Sequence, residues 1–178
     1  MGNPLITGRQ LSPMPKPVYI LCSESGAEDK LTGLVSHFKV LEQIVVFELP
    51  KPQEGQMGVI SLIPCQIVAV WAKEEEDDPA QEYEFRVLLS LPSKPEPILA
   101  ASGRLVFEET KPRHRTTVGV AGLAFHGTGV FRVEHQIRPV GGDDQSWLVQ
   151  SYEVPVVYLG LQEASHRPAP PGLDPIAK

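Results

Sequence analysis

Hydrophobic and polar positions alternate along most of this chain with a period of two, the pattern of strands that have one buried and one wet face. The cleanest case is EYEFRVLLSLP at residues 82–92. Here Tyr83, Phe85, Val87, Leu89 and Leu91 fall on one face, and Glu84, Arg86 and Ser90 on the other. PVYILCSE at 17–24 predicts a strand ended by a Ser25-Gly26 turn, and KLTGLVSHF at 30–38 its antiparallel return. PCQIVAVWAK at 64–73 is almost wholly apolar, as expected of a central strand covered on both faces. Four further strands are predicted from ILAASGRLVFEE, RTTVGVAGLAF, GVFRVEHQIRP and WLVQSYEVPVVYL, the last two joined by the hairpin loop VGGDDQS. VLEQIVVFELP is open to two readings. Leu41, Ile44, Val45 and Glu48 have helical spacing, whereas the run Ile44, Val45, Val46, Phe47 favours a strand.

About eight short strands, separated by turn signals and without an amphipathic helix, predict a single all-β domain over residues 17–159. The expected architecture is an antiparallel β-sandwich, immunoglobulin-like or jelly-roll-like, with a closed barrel as its competitor. Residues 1–16 read as a flexible arm and 160–178 as a flexible Pro-rich tail with polyproline character.

Composition narrows this picture. A chain of 178 residues can bury one good core but hardly two, and its 18 prolines leave no room for long helices. The net charge of −6 argues against nucleic acid, whose binders need a basic face. No segment approaches the ~18 apolar residues of a membrane span, and the first residues lack the layout of a secretory leader. The expectation is a cytoplasmic protein with no membrane contact. Cys22 and Cys65 each sit in an apolar run, where a free thiol packs as a small hydrophobe.

The segment YILCSESGAEDKLTGLVSHF joins an apolar strand ending in Cys22, an acidic loop and a Lys-Leu-x-Gly return (Lys30, Leu31, Gly33). Together with Gly129, Val130, Phe131, Arg132 and Val133, it resembles an uncharacterised bacterial family of single-domain β-sandwich proteins, a domain of unknown function. The likeness spans most of residues 17–159, although an Asp frequent after the cysteine in that family is Ser23 here. It implies the sandwich fold and transfers no site.

Candidate chemistry is sparse. Gly127, Thr128 and Gly129 suggest a phosphate loop, but such a loop must open a helix, and the residues after it alternate with period two. The expected role is a tight turn that launches a strand, with Phe131, Val133 and His135 facing the core. The histidines are His37, His114, His126, His135 and His166. None forms the His-x-His pair that places two ligands on one strand face, so His135 reads as a satisfied core histidine. A metal site would have to be assembled across strands from His37, His126 and His135. The acidic run EEEDD at 74–78 lacks the spacing and glycine of a calcium loop, and reads as a solvated hairpin tip. No Gly-x-Ser-x-Gly elbow occurs, and neither cysteine has a basic neighbour to activate it. No catalytic, cofactor-binding or metal residue is therefore assigned, and no cofactor is implied.

The basic stretch Lys111, Arg113, His114 and Arg115 is the candidate contact for an anion or an acidic partner surface. The functional expectation is a non-catalytic interaction or accessory module that binds a protein partner, in an oligomeric state the sequence leaves open. One alternative is a carbohydrate-binding or hydrolytic sandwich whose site is assembled across strands, with Trp71, Trp147, Tyr152 and Tyr158 as stacking surfaces. Another is a jelly-roll-like assembly subunit whose tails act as interlocking arms.

Overall fold

Among the described residues, nine strands run in chain order: β1 (Lys16–Glu28), β2 (Val35–Val40), β3 (Ile44–Phe47), β4 (Cys65–Ala72), β5 (Tyr83–Ser90), β6 (Ile98–Leu105), β7 (Arg113–Val120), β8 (Gly129–Pro139) and β9 (Leu148–Leu159). The computed structural model describes residues 14–30, 34–47, 64–75, 77, 78, 80–92, 94, 96–108, 110–123, 125 and 128–159, with backbone alone at Phe47, Tyr158 and Leu159. Most of the expected arm (1–13) and all of the expected tail (160–178) lie outside these residues, as do His126, Gly127 and His166. Among the described residues there is no helix, and so none long and apolar enough to cross a membrane.

The chain is all-β and sandwich-like. A four-stranded sheet has the order β2-β1-β4-β7, and a five-stranded sheet the order β3-β9-β8-β5-β6. Every neighbouring pair is antiparallel except β3 with β9, which is parallel, from Ile44 opposite Val156 to Phe47 opposite Leu159. The expectation of about eight strands compares with nine among the described residues, and the all-antiparallel expectation is corrected by the parallel β3–β9 pair. Alternation fixes which face a residue takes but not which way its neighbour runs. The ambiguous stretch after Val40 resolves as a strand over Ile44–Phe47. Strand β1 also continues through Ser25 and Gly26, which pair with Phe38 and His37, so the expected turn moves past Glu28.

Both sheets supply the core. From the four-stranded sheet come Cys22, Cys65 and Ile67; from the five-stranded sheet come Val87, Leu89, Phe131, Val133, Val154 and Val156. A second cluster joins Trp71, Tyr83, Leu105, Phe107 and Ile137. Each fully buried side chain of this size contributes roughly 1.5–3 kcal/mol. Strand β4 is buried on both faces, which explains its unbroken apolar run. Its outer face is roofed by the far ends of β1 and β2. There Glu28 meets Arg115 at 2.7 Å, and the rings of Tyr19 and His37 stand 6.3 Å apart.

The two sheets are also joined by polar bonds inside the core. Trp71 Nε1 on β4 donates to His135 Nδ1 on β8 at 3.1 Å, and Gln150 Nε2 on β9 donates to the Val70 carbonyl at 2.9 Å. His135 and Gln150 lie directly opposite each other on neighbouring strands. The two bonds therefore form one clamp that fixes how the sheets register across the core.

Candidate functional site

Strands β5 and β6 pair with Glu84 opposite Arg104, Phe85 opposite Gly103 and Arg86 opposite Ser102. Ser102 and Gly103 are small, so the outer surface dips beside β6. A side chain at Gly103 would have no room, because an added Cβ would come within 2.9 Å of Phe85 Cε1. The opposite wall of this dip is made by the β8–β9 loop. Gly141, with φ at +78°, turns the chain, and Asp143 then accepts from the Gln145 amide at 3.1 Å while its carbonyl accepts from Ser146. These turns bring Trp147 back over the sheet. The result is an open groove of about 340 Å³ between Leu99 and Arg104 on one side and Val140 and Trp147 on the other.

Trp147 is held in place by charge. The guanidinium carbons of Arg86 and Arg138 lie 4.2 and 4.4 Å from its ring centroid. Arg138 donates to Glu84 at 2.6 Å and to Asp144 at 2.8 Å, and the Glu84 bond is the main reason its pKa is raised. Arg86 donates instead to Gln136 at 2.8 Å, and Gln136 to Glu134 at 2.7 Å. Glu84 is thus answered by Arg138, and Arg104 reaches Glu82 at 3.1 Å, whereas Arg86 makes no ion pair among the described residues. Such a surface can grip a polar or aromatic group by hydrogen bonds and stacking. The carboxylate nearest Ser102 on the facing strand is Glu84, which is engaged by Arg138.

His37 and His135 sit in different surroundings, and His126, the third residue of the candidate metal set, lies outside the described residues. His135 is fully buried and stacked on Phe85 with ring centroids 5.3 Å apart. Burial lowers its pKa to about 4, helped by the nearby His114. Since Nδ1 accepts from Trp71, the ring proton of the neutral form sits on Nε2, for which no partner occurs among the described residues. The expectation of a core histidine therefore holds for its position and only half for its bonding. His37 lies in the roof of the four-stranded sheet, lining a small hollow of about 170 Å³ with Gln66 and Arg115. Among the described residues no three potential ligands converge as a metal site.

The basic stretch is split rather than clustered. Strand β7 begins at Arg113, so three of the four residues lie within it and not on a loop. His114 turns inward, with Nδ1 3.1 Å from the Val106 carbonyl and its ring against Phe107. Arg115 is paired with Glu28, Lys111 pairs with Glu108 at 2.8 Å, and Arg113 is exposed. Of the candidate stacking aromatics, Trp71 is fully buried, Tyr152 donates its hydroxyl to the Leu41 carbonyl at 3.0 Å and Trp147 borders the groove, while the Tyr158 side chain lies outside the described residues. The acidic run is also placed differently from a hairpin tip. It links β4 in one sheet to β5 in the other, and Asp77 is buried, accepting from the Glu74 amide at 2.7 Å. Gly129 does launch a strand, as the first residue of β8.

Trp147 was a candidate stacking surface by sequence, whereas Arg86, Arg104 and Arg138 were not singled out. Their period-two spacing marks them only as outward-facing, and the groove exists because three strands and one hairpin loop converge. No family model matches the chain, and no curated protein matches it, so the site rests on its own geometry.

Proposed function

We propose that the protein is a non-catalytic interaction module, accessory to other proteins, that takes an extended segment of a partner as an added strand along β6. The observation that carries this is the state of that edge. Among the described residues, β6 is eight residues long, ends the five-stranded sheet and contains no proline. Leu99 is 58% exposed there and Ile98 37%. Edges of this kind are normally blunted by charge, proline or a cover, because their free N–H and C=O groups template pairing with another chain. The groove beside the edge supplies pockets for alternate side chains of the incoming strand.

A peptide ligand is favoured over a sugar because Trp147 alone of the three candidate aromatics with described side chains borders the groove, and over chemistry because Glu84, the carboxylate of the strand facing Ser102, is engaged by Arg138. The finer fold reading belongs to the same proposal. Strands β1-β4-β7 against β9-β8-β5, with β6 added, follow the two-sheet grouping of immunoglobulin-like domains rather than a jelly roll. A cytoplasmic setting is also part of the proposal, and the two free thiols support it.

The test is selection of a displayed random nine-residue peptide library on the immobilised protein. Enriched peptides should alternate apolar residues and lose at least tenfold in affinity for Leu99→Lys, which places a charge on an already exposed position. Peptides that bind Leu99→Lys as well as the parent would overturn the reading.

A further inference from the structure

We infer that the segment received by β6 carries an aromatic side chain and, two residues away, a carboxylate; this rests on the strand-addition reading and names the chemistry of its ligand. Outward positions on an added strand stand opposite outward positions on β6, at Cβ separations of about 4.5–5.5 Å. On β6 those positions are Leu99, Ser102 and Arg104, the register slipping by one residue between Val87 and Leu88.

Opposite Arg104 the ligand meets a guanidinium whose side chain is 71% exposed, held only by Glu82 at 3.1 Å. A carboxylate there gains a charge-assisted hydrogen bond without displacing a buried pair. Opposite Ser102 the ligand meets the low wall of the groove, beyond which lie the Arg86 guanidinium and the Trp147 ring. A flat side chain can pass over Ser102 and lie against them, since aromatic rings stack on both guanidinium and indole. Ser102 and Arg104 are two residues apart, so the two ligand side chains are too, whether the added strand runs parallel or antiparallel.

The same reasoning argues against a second copy of this chain as the occupant. β6 has the sequence ILAASGRL and contains neither a carboxylate nor an aromatic residue. Pairing it with itself would bring Arg104 no carboxylate beyond Glu82 and leave the groove unfilled.

The closing experiment uses synthetic versions of the peptides enriched from the nine-residue library, measured by fluorescence anisotropy against the full chain. The enriched set should share an aromatic residue with Asp or Glu two positions away. Replacing that acid by its amide should weaken binding about tenfold, the scale of one charge-assisted bond. That loss should vanish in Arg104→Gln, an exposed position whose change leaves the core intact. Replacing the aromatic by Ala should cost a similar factor, and less in Trp147→Ala. Enriched peptides that depend on Leu99 but show no acid preference would overturn this inference and leave strand addition standing. Binding indifferent to both Leu99 and Arg104 would overturn the two together.

Discussion

His135 should make the stability of this protein fall with acid in a window set by its burial. In the fold its pKa is lowered to about 4, first by desolvation and then by His114. Unfolded, the same imidazole titrates near 6.5. The lowered value means that the unfolded chain binds more protons than the folded one between these limits. Stability is therefore at its full value above about pH 6.5 and declines as pH falls toward 4. At about 1.4 kcal/mol per pH unit, the loss from this one group is on the order of 1 kcal/mol by pH 5.5 and a few kcal/mol by pH 4. The structural cause is that Nδ1 must stay unprotonated to accept from Trp71, so charging the ring breaks one bond of the clamp inside a closed core. The groups facing it are Trp71 from β4, Phe85 from β5, Gln150 from β9 and His114 from β7, none of them a carboxylate that would favour the charged form. The assay is urea unfolding at pH 7.5 and 5.5, with the parent compared with His135→Asn. Asn retains an acceptor but cannot titrate. It is less stable overall because the ring no longer packs on Phe85, so the quantity compared is the change between the two pH values. The parent should lose on the order of 1 kcal/mol more than the variant over that interval. Equal losses in both would refute the assignment of this acid sensitivity to His135.

Two other outcomes follow from particular residues. Gly129→Ala should destabilise by more than about 1 kcal/mol, because its φ of +149° is strained for any L side chain and an added Cβ would lie 2.8 Å from Pro92 Cβ; thermal melting measures this, and an unchanged midpoint would contradict the turn described here. Cys22 and Cys65 should resist a thiol reagent in the native state and both react after unfolding, since burial raises the two thiols, Cys22 to about 12; rapid labelling of the folded chain would contradict that burial.

The strands were largely legible because strand alternation is a local signal. The run from Tyr83 to Leu91 shows its buried face in sequence, and the unbroken apolar run of β4 shows that it is covered on both sides. Partner and direction are not local. Nothing in Ile44, Val45, Val46 and Phe47 says that they lie parallel to the last strand, because that pairing joins segments more than a hundred residues apart. The site was illegible for the same reason. Arg86, Arg138 and Trp147 come from three elements, and only the sheet order brings two guanidiniums under one indole. The basic stretch at 111–115 failed in the opposite way: close in sequence, it divides across the faces of β7, because neighbours on a strand point apart.

The claim that β6 receives an added strand is tested most directly by amide hydrogen exchange, residue by residue, with and without a peptide selected on the protein. In the free chain, the β6 amides bonded to β5 should be protected, and those pointing away from the sheet should exchange freely. On binding, the outward set within Ile98–Leu105 should become protected, alternating along the strand, while the edges β2 and β7 stay unchanged. Protection that appears on another edge, or binding that leaves the outward amides of β6 exchanging as before, would contradict the account.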